Sequence, residues 1–140
     1  MPDTDIFTDS EIVAKTLWGE ARGEDVVGMQ AVANVIRNRV ALRRSWWGLT
    51  TREVCLAPFQ FSCWLKNDPN RPKMIAVSDN DPQYREALDI ALNTFDGENA
   101  PDVDITNGAT SYYEIGSPMP TWARGRTPSA TIGHHVFFKI

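Results

Sequence analysis

A chain of 140 residues with 42% hydrophobic, 10% aromatic and 23% charged residues has the size and composition of one globular domain, with a radius of gyration of about 14 Å. This excludes long disorder, collagen and coiled coil, and no run approaches the roughly 18 uninterrupted apolar residues that mark a membrane span. Fourteen basic against eighteen acidic side chains leave a net charge of −4, which excludes a wrapped nucleic-acid partner because nothing compensates the phosphate charge.

The lead Met1-Pro2-Asp3-Thr4-Asp5 is acidic, lacks the basic and apolar regions of a secretory signal peptide, and is expected to be flexible through residue 8. Thr8 and Glu11 then have capping-box spacing, predicting a helix from Thr8 to Ala21. At 100° per residue Ile12, Val13, Thr16 and Leu17 share its apolar stripe, while Glu11 and Lys15 are expected to face water. Gly19 and Gly23 bracket its end. A second helix is expected from Glu24-Asp25, two acids suited to a helix N-terminus, with Met29, Val32, Val35, Ile36 and Val40 on one face.

Periodicity fades from Ala41 to Asn80, apart from a short helix expected after Thr50, which has Glu53 three residues on. Pro58 to Trp64 is followed by a polar, Pro-broken stretch through Asp81, which reads as a long surface loop. Asp81-Pro82 opens another helix, with Tyr84, Ala87, Leu88, Ala91 and Leu92 as its stripe and Asp96-Gly97 as its end. Short strands are expected at Ala109–Tyr113 and His134–Ile140. There are no repeats or linkers, so residues 1–140 read as a single α+β domain.

Glu20 is the residue that local pattern leaves unexplained. It follows Leu17 by three positions and Val13 by seven, on the apolar stripe. A carboxylate turned inward is costly unless it is paired, neutralised or lining a cleft. Desolvation raises its pKa, which keeps a glutamic acid protonated near neutrality and able to donate a proton. The plainer reading is a helix-end pair with Arg22 or Arg39. Arg39 falls on the second helix's inward stripe, where a structural ion pair or carbonyl contact competes with a substrate clamp.

Trp18, Trp46, Trp47, Trp64, Trp122, Tyr112 and Tyr113 are a large aromatic inventory, able to stack on sugar rings or to fill a core. His134 and His135 are adjacent and on a strand would point to opposite faces, and no HExxH or paired CxxC accompanies them, so no metal or other cofactor is expected. Cys55 and Cys63 are either one optional bridge or free, half-buried thiols. A Cys63–His135 pair would suit a cysteine amidase.

Three segments taken together resemble the SleB-type cell-wall hydrolases, the family of the spore cortex-lytic enzymes. They are Leu17-Trp18-Gly19-Glu20-Ala21-Arg22-Gly23-Glu24 with Gly28 to Val40; Gln60-Phe61-Ser62-Cys63-Trp64; and Gly108 to Tyr113 with Trp122-Ala123 and Ile132-Gly133-x-His135-x-Phe137. The resemblance implies a helix-rich, lysozyme-like or lytic-transglycosylase-like fold with a small C-terminal sheet. It also implies a glycosidase acting on peptidoglycan strands at the MurNAc–GlcNAc β-1,4 bond; separately, a monomer is expected. The family's catalytic acid/base falls on Glu20, and Gln60, Phe61, Ser62, Tyr112 and Trp122 would line the glycan cleft. Where relatives often carry His after Gly-Ala-x, this chain has Ser111.

Counting carboxylates selects the mechanism. Hydrolytic glycosidases flank the bond with two, about 5 Å apart for retention and 6.5–9.5 Å for inversion. A lytic transglycosylase needs one, because the muramic acid's own 6-hydroxyl attacks. With Glu20 as the one strong candidate, the 1,6-anhydro product is favoured over muramidase hydrolysis; Glu24, Asp104 and Glu114 are the residues able to reverse that. The resemblance leaves a non-catalytic glycan-binding module as the remaining alternative. A compact, leaderless domain of this family is expected to be a phage endolysin made in the cytoplasm and released onto the wall, with a bacterial or prophage-borne homologue as the alternative.

Overall fold

The computed structural model describes residues 2–57, 60–95 and 104–140. Five α-helices come first: α1 (Asp9–Ala21), α2 (Val26–Leu42), α3 (Thr51–Leu56), α4 (Asn70–Ala76) and α5 (Pro82–Phe95). Three strands follow, β1 (Ser111–Glu114), β2 (Ala130–Ile132) and β3 (His135–Phe138). They form one antiparallel sheet in the order β1-β3-β2, with Tyr112 opposite Phe137 and Thr131 opposite Val136. Single 3₁₀ turns at Ser62–Trp64 and Thr121–Ala123 shape the connections. No described helix is long and apolar enough to cross a membrane.

The helix starts follow local chemistry. Thr8 and Glu11 close a reciprocal capping box on α1. Asp25 caps α2 by accepting from the Gly28 N–H, and Thr50 caps α3 through the Glu53 N–H. The Asp81 carboxylate accepts from the N–H groups of Gln83 and Tyr84 at the head of α5. The expected end of α5 at Asp96-Gly97 lies outside the described residues.

Helix α1 is the axis of the body and packs against α2, α3, α4 and α5. Ile12, Val13, Ala14, Leu17, Trp18 and Ala21 are all buried, so it has almost no wet face. Lys15, expected to face water, is therefore 2% exposed. Its Nζ donates to the carbonyls of Met74 and Val77, both at 2.9 Å, and of Ile75 at 3.4 Å, where α4 runs out of internal donors. Its charge also lies over the rings of Phe7 and Tyr84.

Three more expectations need correction. The stretch read as surface loop contains α4 and buries Met74 under α1, and the 3₁₀ turn just before it buries Cys63 and Trp64. Its polar residues are the outward ones of elements too short to show a period. Strand β2, which lacks the alternation to be seen in sequence, pairs with β3. The lead is tied down: Thr4 is fully buried, and the Arg52 guanidinium donates to the Thr4 and Phe7 carbonyls and pairs with Asp9.

A second, smaller core of Ala31, Val35, Ala109 and Phe137 seats the sheet on α2. The polar side of α2 completes this joint. Asn38 donates to Asp104 and to the Ala109 carbonyl, and Asn34 accepts from the Ile105 N–H.

Candidate active site

The last turn of α1 carries Glu20 to the junction of helices and sheet. Gly19, just before it, is required by packing: a Cβ there would overlap Met74 and stand 2.9 Å from the Cys63 Cβ. This close approach brings the 60–64 segment alongside Glu20. The junction is a cleft of about 640 Å³. The helical body contributes Glu20, Arg39, Arg44, Trp46 and Trp47, the connecting segment Gln60, Phe61 and Ser62, and the sheet Ser111, Tyr112, Tyr113, Glu114 and His135, with Trp122 at its edge. All six residues singled out from sequence, Glu20, Gln60, Phe61, Ser62, Tyr112 and Trp122, thus line one cavity.

The Glu20 carboxyl is pushed up to about 7, first by burial and then by the negative charges of Asp68 and Glu114. It forms no ion pair with Arg22 or Arg39, the plainer reading weighed for it: Arg22 donates to Asn70 and the Trp18 carbonyl and stacks on the Trp18 ring. Arg39 is 6% exposed and organises the opposite part of the cleft. Its Nε donates to the Thr110 carbonyl at 2.6 Å, Nη1 to Gln60 Oε1 at 2.8 Å and Nη2 to Ser111 Oγ at 3.5 Å. The guanidinium also lies over the rings of Trp47 and Phe61. One buried cation therefore fixes parts of α2, the 60–62 segment and β1 together.

The aromatic inventory divides cleanly. Trp18, Trp47 and Trp64 are buried at 7% exposure or less, whereas Trp46 at 68% and Trp122 at 37% offer open faces to the cleft. Trp122 packs edge-on to Phe138, and Tyr113 stacks on the same ring. Tyr112 is set between His135 and Phe137, and its hydroxyl is held well above the ordinary range by burial and the neighbouring Glu20.

The candidate second carboxylates separate by what they already do. Asp104 accepts from Asn38, the Thr106 N–H and hydroxyl, and the Gly108 N–H, organising the turn before β1 away from the cleft. Burial opposes its charge, but those hydrogen bonds prevail and hold its pKa low. Glu24, expected at the second helix's N-terminus, turns instead to the β2–β3 connection, where Oε1 accepts from the His134 N–H and faces His134 Nδ1, both at 3.1 Å. Glu114 is exposed and lines the cleft. A smaller pocket of about 180 Å³ joins Glu20, Glu24, Glu114, His134 and His135.

The thiols are free and buried, with no bridge between them. Burial pushes Cys63 far above the ordinary thiol range, with Glu20 and Asp68 adding to the shift, and it does not line the cleft that holds His135. It has neither the thiolate nor the access that an amidase nucleophile needs. The cleft position of Arg44 was not anticipated, and Trp46 and Trp47 were named only within the aromatic inventory; their sequence signal is a Trp pair in a stretch without periodicity.

Relatives place this arrangement. The chain is 31% identical over 129 residues to a spore cortex-lytic enzyme of Halalkalibacterium halodurans, covering 92% of this chain and 34% of that one. It is 28% identical over 131 residues to the spore cortex-lytic enzyme of Bacillus cereus, covering 94% and 44%. It thus spans between a third and a half of the length of these relatives. Among solved structures, the catalytic domain of the Bacillus cereus SleB protein superposes with a TM-score of 0.68 at 27% identity, over 94% of this chain and 89% of that one. The catalytic domain of the germination-specific lytic transglycosylase SleB from Bacillus anthracis gives 0.68 at 27%, over 96% and 98%. The sequence profile of the Cell Wall Hydrolase family matches residues 23–138, and the chain belongs to that family.

Proposed function

We propose that the chain is a peptidoglycan glycosidase acting on the MurNAc–GlcNAc β-1,4 bond as a lytic transglycosylase, with Glu20 as its acid/base. The observation that carries this reading is a glutamic acid whose carboxyl is raised to about 7 inside a cleft with open aromatic faces. At neutral pH a large share of Glu20 is protonated and able to donate to the glycosidic oxygen as the bond breaks. The carboxylate left behind then accepts the proton of the muramic 6-hydroxyl as that oxygen closes on C1, giving the 1,6-anhydro ring and restoring the acid. The exposed rings of Trp46 and Trp122 are suited to stack on sugars, and Gln60, Ser62 and Tyr112 to hydrogen-bond their hydroxyls.

The single-carboxylate mechanism is supported by the engagement of Asp104 and Glu24 in structural hydrogen bonds. Glu114 favours the muramidase alternative, since it lines the same cleft and its charge acts on Glu20. Digestion of purified peptidoglycan followed by mass spectrometry of the sugar ends separates these readings. Anhydromuramic ends that disappear in Glu20→Gln and persist in Glu114→Gln are expected. Reducing muramic ends lost in both variants would establish hydrolysis with Glu114 as second carboxylate. Cleavage that survives Glu20→Gln would refute the assignment of Glu20.

A further inference from the structure

Glu24 is seated with unusual care for a residue at a helix junction. Only 13% of its side chain is exposed, and two chain segments make room for it. A Cβ at Gly28 would overlap the Glu24 stem, and one at Gly133, where φ is +56°, would overlap Oε2. The result is one carboxylate oxygen, Oε1, aimed at three nitrogens. They are the His134 N–H and Nδ1, both at 3.1 Å, and His135 Nδ1 at 3.8 Å.

His135 is the less usual partner. The residue is 7% exposed, and its Nδ1 is buried with no hydrogen-bond partner. Tyr112 meets the ring edge-on at 5.0 Å and Phe137 at 6.2 Å, which restricts its rotation. The imidazole borders both the 640 Å³ cleft and the 180 Å³ pocket that contain Glu20. A neutral imidazole carries one proton. A lone pair on Nδ1 would point at the anionic oxygen of Glu24 and be repelled, whereas an N–H there is attracted. The proton therefore belongs on Nδ1, which leaves the lone pair on Nε2 of a ring that lines both cavities.

We propose that Glu24 is a positioning residue that holds His135 in its Nδ1–H form, so that His135 Nε2 accepts a hydrogen bond from a sugar hydroxyl bound beside Glu20. This rests on the glycosidase reading of the cleft. It assigns the smaller pocket to a hydroxyl-bearing edge of the sugar, and explains why a carboxylate so near Glu20 faces the two histidines: it supports the imidazole rather than the bond being cut.

The groups facing His135 set its response to pH. Burial lowers its pKa below the ordinary 6.5; Glu24 from the α1–α2 junction and Glu114 from β1 oppose that, and His134 from the β2–β3 turn adds to it. Tyr112 and Glu20 complete the surroundings. Protonated His135 offers only donors, so the acceptor is lost on the acid side.

Two measurements on the whole chain test this. Long-range ¹H–¹⁵N spectra of the wild type near pH 7 should show His135 protonated at Nδ1 and bare at Nε2; the reverse form overturns the proposal without reference to activity. Profiles of kcat/KM against pH on purified peptidoglycan give the second readout. His135→Phe, which keeps a ring in the site, should lose about tenfold or more. Glu24→Gln still accepts from the His134 N–H, but should move the acid limb to lower pH by removing the charge that sustains the imidazolium. A wild-type rate in His135→Phe, or an acid limb unmoved in Glu24→Gln, would overturn the role. Failure of the glycosidase reading itself is distinguishable, because Glu20→Gln would then remain active.

Discussion

Glu20 must be both protonated and half-enclosed, and the two requirements are linked. Its pKa is higher in the folded chain than its ordinary 4.5 because burial, Asp68 and Glu114 all oppose the charge. The folded state therefore holds this proton more tightly than the unfolded one. Stability associated with it is complete below 4.5 and is lost as pH rises toward 7. Glu20→Gln removes the titration while keeping the shape. Calorimetry should find the variant's Tm above that of the wild type at pH 8 and close to it at pH 4; an equal displacement at both would contradict the raised pKa. In the wild type, kcat/KM should fall on the alkaline side with a midpoint near 7, as the proton donor is lost. A rate unchanged up to pH 9 would separate Glu20 from proton donation.

Between elements, one polar link is Lys15, which joins the middle of α1 to the end of α4. Among the described residues no carboxylate forms an ion pair with it, although the charge of Glu11 acts on it; three carbonyls and two aromatic faces hold the ammonium. Lys15→Met conserves most of the buried stem and leaves those carbonyls without their donor. An unsatisfied buried acceptor costs about 1–3 kcal/mol, so the variant should unfold in urea with at least about 2 kcal/mol less stability. A loss under about 0.5 kcal/mol would mean that water replaces the ammonium. The same region shows why α4 escaped the sequence reading. Asn70–Ala76 is seven residues, with Met74 as its one buried residue, so no amphipathic stripe could register.

At the scale of the whole molecule, the cleft exists because a helical body and a three-stranded sheet meet along one side of α2. Arg39 spans that joint with a planar fork that reaches Thr110, Gln60 and Ser111 at once. A lysine ammonium at the same place lacks the reach and geometry to hold all three. Arg39→Lys should therefore keep a native far-UV spectrum and lose about tenfold or more in kcat/KM, with Arg39→Ala lower still. Retention of wild-type activity in the lysine variant would show that charge alone suffices there. Ser111 receives one arm of this fork, so a hydroxyl serves as acceptor in the cleft of this chain.

The sequence by itself determined the helix starts, because caps such as Thr8, Asp25, Thr50 and Asp81 act within a few residues of chain. It also singled out Glu20, since an acid on an apolar stripe conflicts with its own helix, and it distinguished a helical first part from a stranded last part. Tertiary structure decided the rest. Lys15 changed from wet to buried because α1 is enclosed by neighbours that no local period encodes. Glu24 left its helix for His134 and His135, 110 and 111 residues away in the chain, through space kept clear by Gly28 and Gly133. Arg39 took its role from Gln60 and Thr110, and the exposed Trp46 joined the cleft through the packing of segments distant in the chain. Local spacing fixes how a segment begins and which face is apolar; what that face meets depends on contacts between segments far apart in the chain, and the site is built from those contacts.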